Sequence, residues 1–249
     1  MINPRIYLSR KLINLAQVIE EPKIINAKLK GIVPSYVRDL FTIKKITQIT
    51  PKTFVDVGAH FGETSIAMNY VFPDAKIYSF EPVPSSYKIL KQKTENIKNI
   101  RLYDFALGNK EGKFDFWLNN LSAASSLLDA ESQREKLFET TKRKEKITIS
   151  LKKFMDLTEI KIQRPFYLKI DVEGAEKMVL EGFGNLIKNV DILQLEYNFK
   201  KLYKNQTELK DIMKYVNIAK LESFIQLGNH ISEKEGIIYC DLIFFRRKK

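Results

Sequence analysis

The stretch "FVDVGAHFGETS" (residues 54–65) decides how the rest of the chain is read. A run of β-formers closes on Asp56, the chain turns through Gly58 and Gly62, and an amphipathic segment starts at Glu63. Strand, glycine turn and helix in that order form the first unit of a doubly wound sheet, where ligands lie beyond the carboxyl ends of the strands. A ligand gripped through its pyrophosphate asks for GxGxxG, whose middle glycine lets backbone amides approach the phosphates. Here His60 stands in that glycine's place, and the carboxylate of Asp56 precedes the turn. A carboxylate there repels phosphate and favours a cationic ligand.

Outward from this turn the pattern repeats. "AKIYSFE" (75–81) reads as a strand, "PSSYKILKQKTENI" (84–97) as a helix and "NIRLYDFAL" (99–107) as a strand. Apolar strands alternating with amphipathic helices mean βαβ units and a parallel sheet covered on both faces. The middle breaks the alternation. "GKFDFWLN" (112–119) and "EKITISL" (145–151) alternate with a period of two, as half-exposed strands do. The polar stretch between them, 119–143, is too long for an idle connection and reads as a partly helical, mobile insertion beside the site. The parallel pattern resumes with "FYLKID" (166–171), a helix over "EGAEKMVLEGFGNLI" (173–187) and the strand "VDILQLEYN" (190–198). A helix over 207–221 and strands around 223–227 and 237–245 complete the series. Residues 1–50, punctuated by Pro4, Pro22 and Pro34, read as a helical extension of two or three short helices, and 51–249 as one domain with an insertion at about 112–150.

Composition sets bounds on this reading. With 249 residues, 44% hydrophobic and 29% charged, the chain is long enough for one substantial core. A single cysteine, Cys240, rules out an internal disulfide and fits a buried structural thiol in a reducing compartment. No uncharged apolar run approaches the ~20 residues of a membrane span, and the start carries only a broken apolar stretch, so the expectation is a cytoplasmic, bacterial protein without a secretion signal. The net charge of +12 comes from lysines scattered among Ile and Asn, as an AT-rich genome produces, with denser spots in the first fifty residues, at "TKRKEK" (141–146) and at "RRKK" (246–249). None interleaves aromatic with basic residues, so the nucleic-acid signal is weak. The basic surface fits an anionic acceptor or peripheral contact with an anionic membrane.

S-adenosylmethionine matches the turn: it carries a sulfonium and an ammonium and has no phosphate. Gly58 and Gly62 would admit it closely, and Asp56 would attract its amino-acid end directly or through water. Glu81 closes the next strand, where a carboxylate offers two oxygens to the ribose diol.

At this point the sequence resembles the FkbM-type family of class I methyltransferases. The resemblance rests on "DVGAHFGETS" (56–65), "FEPVPSSYKIL" (80–90), "ALGNKEG" (106–112), "SSL" (125–127) and "LKIDVEGAEKMVLEG" (168–182), in order along the chain. It implies a Rossmann-like, seven-stranded, mostly parallel sheet whose last strand runs antiparallel, S-adenosylmethionine as cofactor with S-adenosylhomocysteine as product, and O-methylation of a sugar or glycan, a glycolipid or a related metabolite. His60 stands where the family usually has asparagine. Carried over by position, the resemblance places Asp56, Gly58, Ala59, Gly62 and Glu81 around the cofactor. His60, Thr64, Ser65 and Pro82 complete those two turns as binding candidates, and Asp104 and Ala106 would lie near the adenine. Ser125 and Ser126 fall in the insertion that closes over the site.

An alcohol must lose its proton as it is methylated, so a base is needed within hydrogen-bond reach. Asp171, at the end of the fourth strand, is the first candidate, followed by Glu173; Glu176, one helical turn further, and Glu196, at the end of the fifth strand, complete the acidic set. The competing role for Asp171 is to cap the helix that follows. Asp171, Glu196 and Asn198 also form an oxygen set that Mg²⁺ accepts, but with no second aspartate at the fifth strand the expectation is no metal. Two rivals remain. A ribose 2′-O-methyltransferase acting on RNA fits the charge, and a non-catalytic module would bind the cofactor only.

Overall fold

The computed structural model describes residues 22–119, 126–131, 134, 143–232 and 236–247. The amino-terminal part of the helical extension, Ser125 and most of the 119–143 stretch lie outside the described residues.

In chain order the strands are β1 (Thr53–Val57), β2 (Lys76–Phe80), β3 (Ile100–Tyr103), β4 (Ala106–Leu107), β5 (Gly112–Asn119), β6 (Arg143–Lys152), β7 (Phe166–Ile170), β8 (Val190–Asn198), β9 (Ser223–Ser232) and β10 (Gly236–Phe245). Seven of them form one sheet in the order β3-β2-β1-β7-β8-β10-β9. The first five in that order pair in parallel, while β10 runs antiparallel to both β8 and β9, as the family resemblance implies for the last strand. The chain starts at β1, winds out to β3 and returns to β7 on β1's other side. The carboxyl ends of β1 and β7 are therefore where ligands collect in such sheets.

Helices cover both faces. On one, α1 (Lys23–Leu29), α2 (Pro34–Thr47) and α3 (Glu63–Val71) bury Ala27, Val37, Leu40, Met68 and Phe72 against Phe54, Tyr167, Ile192 and Ile243. Pro34 stands at the first helical position of α2 with its φ preset, and Gln48 ends that helix in the left-handed region. α4 (Pro84–Thr94) lies beside α3, with Leu90 against Gly62 and Lys93 paired with Glu63 at 3.0 Å. On the other face α5 (Glu176–Phe183) and α6 (Leu209–Ala219) flank the second half of the sheet, and Val179, Leu180, Phe183, Ile212 and Val216 enclose Leu168, Ile170, Leu193 and Leu195. Burial of each such side chain contributes about 1.5–3 kcal/mol. Cys240 sits in this core, its thiol pushed up to about 11 by burial, as a structural thiol should be.

The mid-chain strands β4, β5 and β6 build a second, three-stranded sheet. "NIRLYDFAL" is thus not one strand. It breaks at Asp104, and Ala106–Leu107 leaves the main sheet to pair in parallel with β6. A short-range reading cannot see this, because the run is largely apolar and only the distant β6 decides which sheet its end joins. The expected helix over 173–187 is also divided: α5 starts only at Glu176, and residues 184–189 tighten into a 3-10 turn.

Candidate active site

A cleft of about 880 Å³, open mouth included, lies across the ends of β1, β2 and β7, within the usual ~300–1,000 Å³ of a small-molecule site. Its floor is the Val57–His60 turn and Ala175, Glu81–Val83 form one side, and Lys169, Asp171 and Val172 the other. Ala106, Leu107, Phe116 and Leu127 add an apolar wall from the small sheet and its neighbouring loop, and Tyr36 of α2 reaches in from the opposite side.

Glycine geometry differs from the sequence expectation. Gly58 has φ +81°, and a Cβ there would sit 1.9 Å from the Asp171 carbonyl oxygen. Gly58 is therefore required by the contact between the tips of β1 and β7, where the Asp171 amide also donates to the Val57 carbonyl at 2.9 Å. Gly62 (φ +86°) caps α3 and lets Leu90 approach, and it does not line the cleft. The turn serves the fold first and lines the cleft only through Val57–His60.

Glu81 stands at the cleft, one residue past the end of β2. It is buried, lines the cleft, and accepts the amide of His60 on one carboxylate oxygen (2.8 Å) and that of Val83 on the other (2.9 Å). Burial lifts its pKa to about 7 against the two amides, which favour the ionised form. His60 adopts φ +49°, stacks on Phe61 with ring centroids 3.6 Å apart, and is held below its ordinary pKa by burial. A neutral imidazole in the cleft wall adds no repulsion to a cation.

Asp56 is fully buried and is not among the residues that line the cleft. One oxygen accepts the Ser65 hydroxyl at 2.6 Å, and the other lies 3.5 Å from the ammonium of Lys169. Ser65 is likewise withdrawn, its hydroxyl 2.7 Å from that of Ser79. Thr64, Pro82, Ala59 and Ala106 line the cleft, whereas Asp104 stands outside it.

The acidic set divides in the same way. Asp171 lines the cleft with its side chain 40% exposed, and one oxygen accepts the Lys169 ammonium at 3.0 Å. It does not cap α5, whose N-cap residue is Ala175. Glu173 precedes the helix at φ +54° and accepts the hydroxyl of Tyr203, whose oxygen in turn accepts Nε of the buried Arg134 at 2.9 Å. Its backbone carbonyl also accepts the Ser126 hydroxyl at 2.8 Å. Glu173 is thereby an anchor between this loop and the insertion, and it is absent from the cleft lining. Glu176 is buried and accepts the Gly174 amide at 2.9 Å, with burial lifting its carboxyl to about 7; it closes the first turn of α5 and does not share a helical face with Glu173. Glu196 stands opposite Asp241 across β8 and β10, and burial with the carboxylates of Glu173, Asp171 and Asp241 raises its pKa. Neither Glu176 nor Glu196 lines the cleft. Among the described residues no group of three or more His, Cys, Asp or Glu is arranged to hold a metal ion.

Lys169, Tyr36, Phe116, Leu127, Tyr203 and Arg134 escaped the sequence reading. Lys169 carried a signal: a lysine inside "FYLKID", a strand buried along its length, must find counter-charges. The others come from distant segments: Tyr36, Phe116 and Leu127 reach the cleft, whereas Tyr203 and Arg134 hold Glu173.

Comparison with known proteins points to one family. Residues 56–223, more than half of the chain, match the methyltransferase FkbM domain. Methyltransferase sdnD of Sordaria araneosa is 26% identical over 71% of this chain and 81% of its own. The 2-O-methyltransferase NoeI of Sinorhizobium fredii is 20% identical over 64% of this chain and 68% of its own. Among solved structures, the N-terminal domain of EvdMO1 in the presence of SAH and D-fucose aligns with 85% of this chain and 83% of its own, at 8% identity and a TM-score of 0.47. With its seven-stranded sheet and antiparallel last strand, the chain belongs to the FkbM-domain family of class I methyltransferases, and its activity is methyl transfer.

Proposed function

We propose that the enzyme transfers a methyl group from S-adenosylmethionine to a hydroxyl of a sugar or related polyol, with Asp171 as the general base. The observation that carries this reading is the placement of Glu81 and Asp171 on opposite sides of one cleft, each with carboxylate oxygens available to it. The residues fit the cofactor. Glu81, fixed by two amides, presents its remaining lone pairs to a ribose diol. Val83, Leu107, Phe116 and Leu127 supply apolar surface for an adenine. When bound, the cofactor supplies a methyl group activated by a sulfonium.

The chain itself provides orientation and proton removal. Lys169 occupies Oδ2 of Asp171, which leaves Oδ1 to take the proton of the acceptor hydroxyl as the oxygen–methyl bond forms. The Sinorhizobium relative is a 2-O-methyltransferase, which supports oxygen as the acceptor atom.

Local charge revises the anionic acceptor suggested by the net charge. Next to Asp171 stand Glu173, Glu196 and Asp241, and Lys169 is the one lysine or arginine in the described cleft lining. Burial lifts the carboxyls of Glu173 and Asp241 to about 7 and raises that of Glu196, so a phosphate or carboxylate placed there finds only Lys169 as counter-charge, already shared by Asp171 and Asp56, whereas neutral hydroxyls find acceptors. The same surroundings disfavour an RNA backbone.

The test is methyl transfer from labelled S-adenosylmethionine to a panel of neutral methyl glycosides and their phosphorylated or carboxylated counterparts. Asp171→Asn should lower kcat on the best neutral glycoside by about 10²–10⁴-fold while S-adenosylhomocysteine still binds. Turnover of the anionic compounds alone, or an Asp171→Asn variant as fast as the wild type, would contradict the reading.

A further inference from the structure

The tips of three adjacent strands carry a continuous polar row. Ser79 of β2, Asp56 of β1 and Lys169 of β7 are register partners across the sheet. Side-chain contacts follow the same line, from Ser79 to Ser65 at 2.7 Å, Ser65 to Asp56 at 2.6 Å, and Asp56 to Lys169 at 3.5 Å. Lys169 then reaches forward 3.0 Å to Asp171, two residues along the chain. All but the last member are buried.

Such a row is costly to build. An ammonium buried in a parallel strand is tolerated only with compensating charge and good geometry, and a hydrophobic residue is usually at least as stable. Burial alone would push Lys169 down, yet the carboxylates of Asp171 and Asp56 lift it above its ordinary value, so it stays charged. For Asp56 burial is the larger influence and raises its pKa, with Lys169 and Ser65 opposing. The row makes contact with the cleft only at Lys169 and Asp171.

We propose that Lys169 and Asp56 are positioning residues for the catalytic base. Lys169 grips Oδ2 and fixes the rotamer of Asp171 so that Oδ1 faces the acceptor, and Asp56, locked by Ser65, holds Lys169 from behind. This deepens the reading of Asp171 as the base and rests on it. The aspartate of the first turn thereby serves the base on the neighbouring strand, at second hand, and not the ligand.

Lys169→Ala is assayed as the full chain on the neutral methyl glycoside that the wild type turns over fastest. Its kcat should fall by about 10²-fold, the loss that follows a misplacement of about 1 Å. KM and the Kd for S-adenosylhomocysteine should stay within about threefold, as for a base that is intact but misaimed. Propylammonium added at millimolar concentration should recover about tenfold in kcat by refilling the vacated space. Lys169→Met, which keeps the side-chain volume, replaces Ala if the smaller residue unfolds the chain. A crystal structure of the variant with S-adenosylhomocysteine supplies a readout independent of the acceptor, and Asp171 should leave its wild-type rotamer. An unchanged rotamer, a kcat within threefold of wild type, a loss confined to cofactor affinity, or no response to the amine would each overturn the proposal. A fully active Asp171→Asn would instead bring down the base assignment itself, so the two failures are told apart.

Discussion

The tips of β1 and β2 look alike in sequence, since each ends its strand in a carboxylate followed by a turn and a helix, yet the structure gives them opposite roles. After β2, Glu81 turns into the cleft with both oxygens anchored by amides. At the end of β1, Asp56 turns inward and spends its charge on Lys169, while Gly58 makes room for a backbone carbonyl. One tip opens onto the cleft and the other is a joint between strands. The difference lies in where the carboxylate falls: Asp56 is the penultimate residue of β1 and is flanked by Ser79 of β2 and Lys169 of β7, whereas Glu81 stands one residue past the end of β2, at the open cleft.

The strongest way to break this comparison is Gly58→Ala. A methyl group 1.9 Å from the Asp171 carbonyl cannot be accommodated without separating β1 from β7, and φ +81° adds strain for any L side chain. The expected loss is about 3 kcal/mol or more, a fall in Tm of about 6–12 °C in a chain of this size. A variant that melts within about 2 °C of the wild type would show that the joint is not tight. A smaller effect sharpens the contrast. Ser65→Ala removes the hydroxyl that fixes Asp56 and should cost about 1–3 kcal/mol in thermal or urea unfolding. The Kd for S-adenosylhomocysteine should change by less than about threefold, because Asp56 is outside the cleft. A roughly tenfold weaker Kd at unchanged stability would restore Asp56 to the ligand.

The sheet was largely legible because its signals are local: β-formers ending in turn residues, helices at the 3.6 period, and the "KIDVEGAE" segment that marks the fourth strand of the parallel series. Glu81 was legible for the same reason, being the residue at which an apolar run stops. What escaped depends on partners far apart in the chain. Nothing near Gly58 announces that the Asp171 carbonyl lies against it, and nothing near Glu173 announces Tyr203 or Arg134. The acids after β7 read as one cluster because they are close in sequence. A left-handed residue at Glu173 and a helix that begins only at Glu176 point them in different directions. Of these, Asp171 alone is left at the cleft.

The central claim, that this cleft holds an adenosyl cofactor through Glu81, is tested most directly by titration calorimetry with S-adenosylhomocysteine on the wild type and Glu81→Ala across about pH 6 to 8. A pKa of about 7 means that Glu81 is mostly protonated at the lower end of that range and ionised at the upper, and the ionised form is the better acceptor for two hydroxyls. Wild-type affinity should therefore rise up to about tenfold across the range, and Glu81→Ala should bind about 10–100-fold more weakly at about pH 8 with no such rise. No heat from the wild type at any pH, or equal affinity in the variant, would contradict the account.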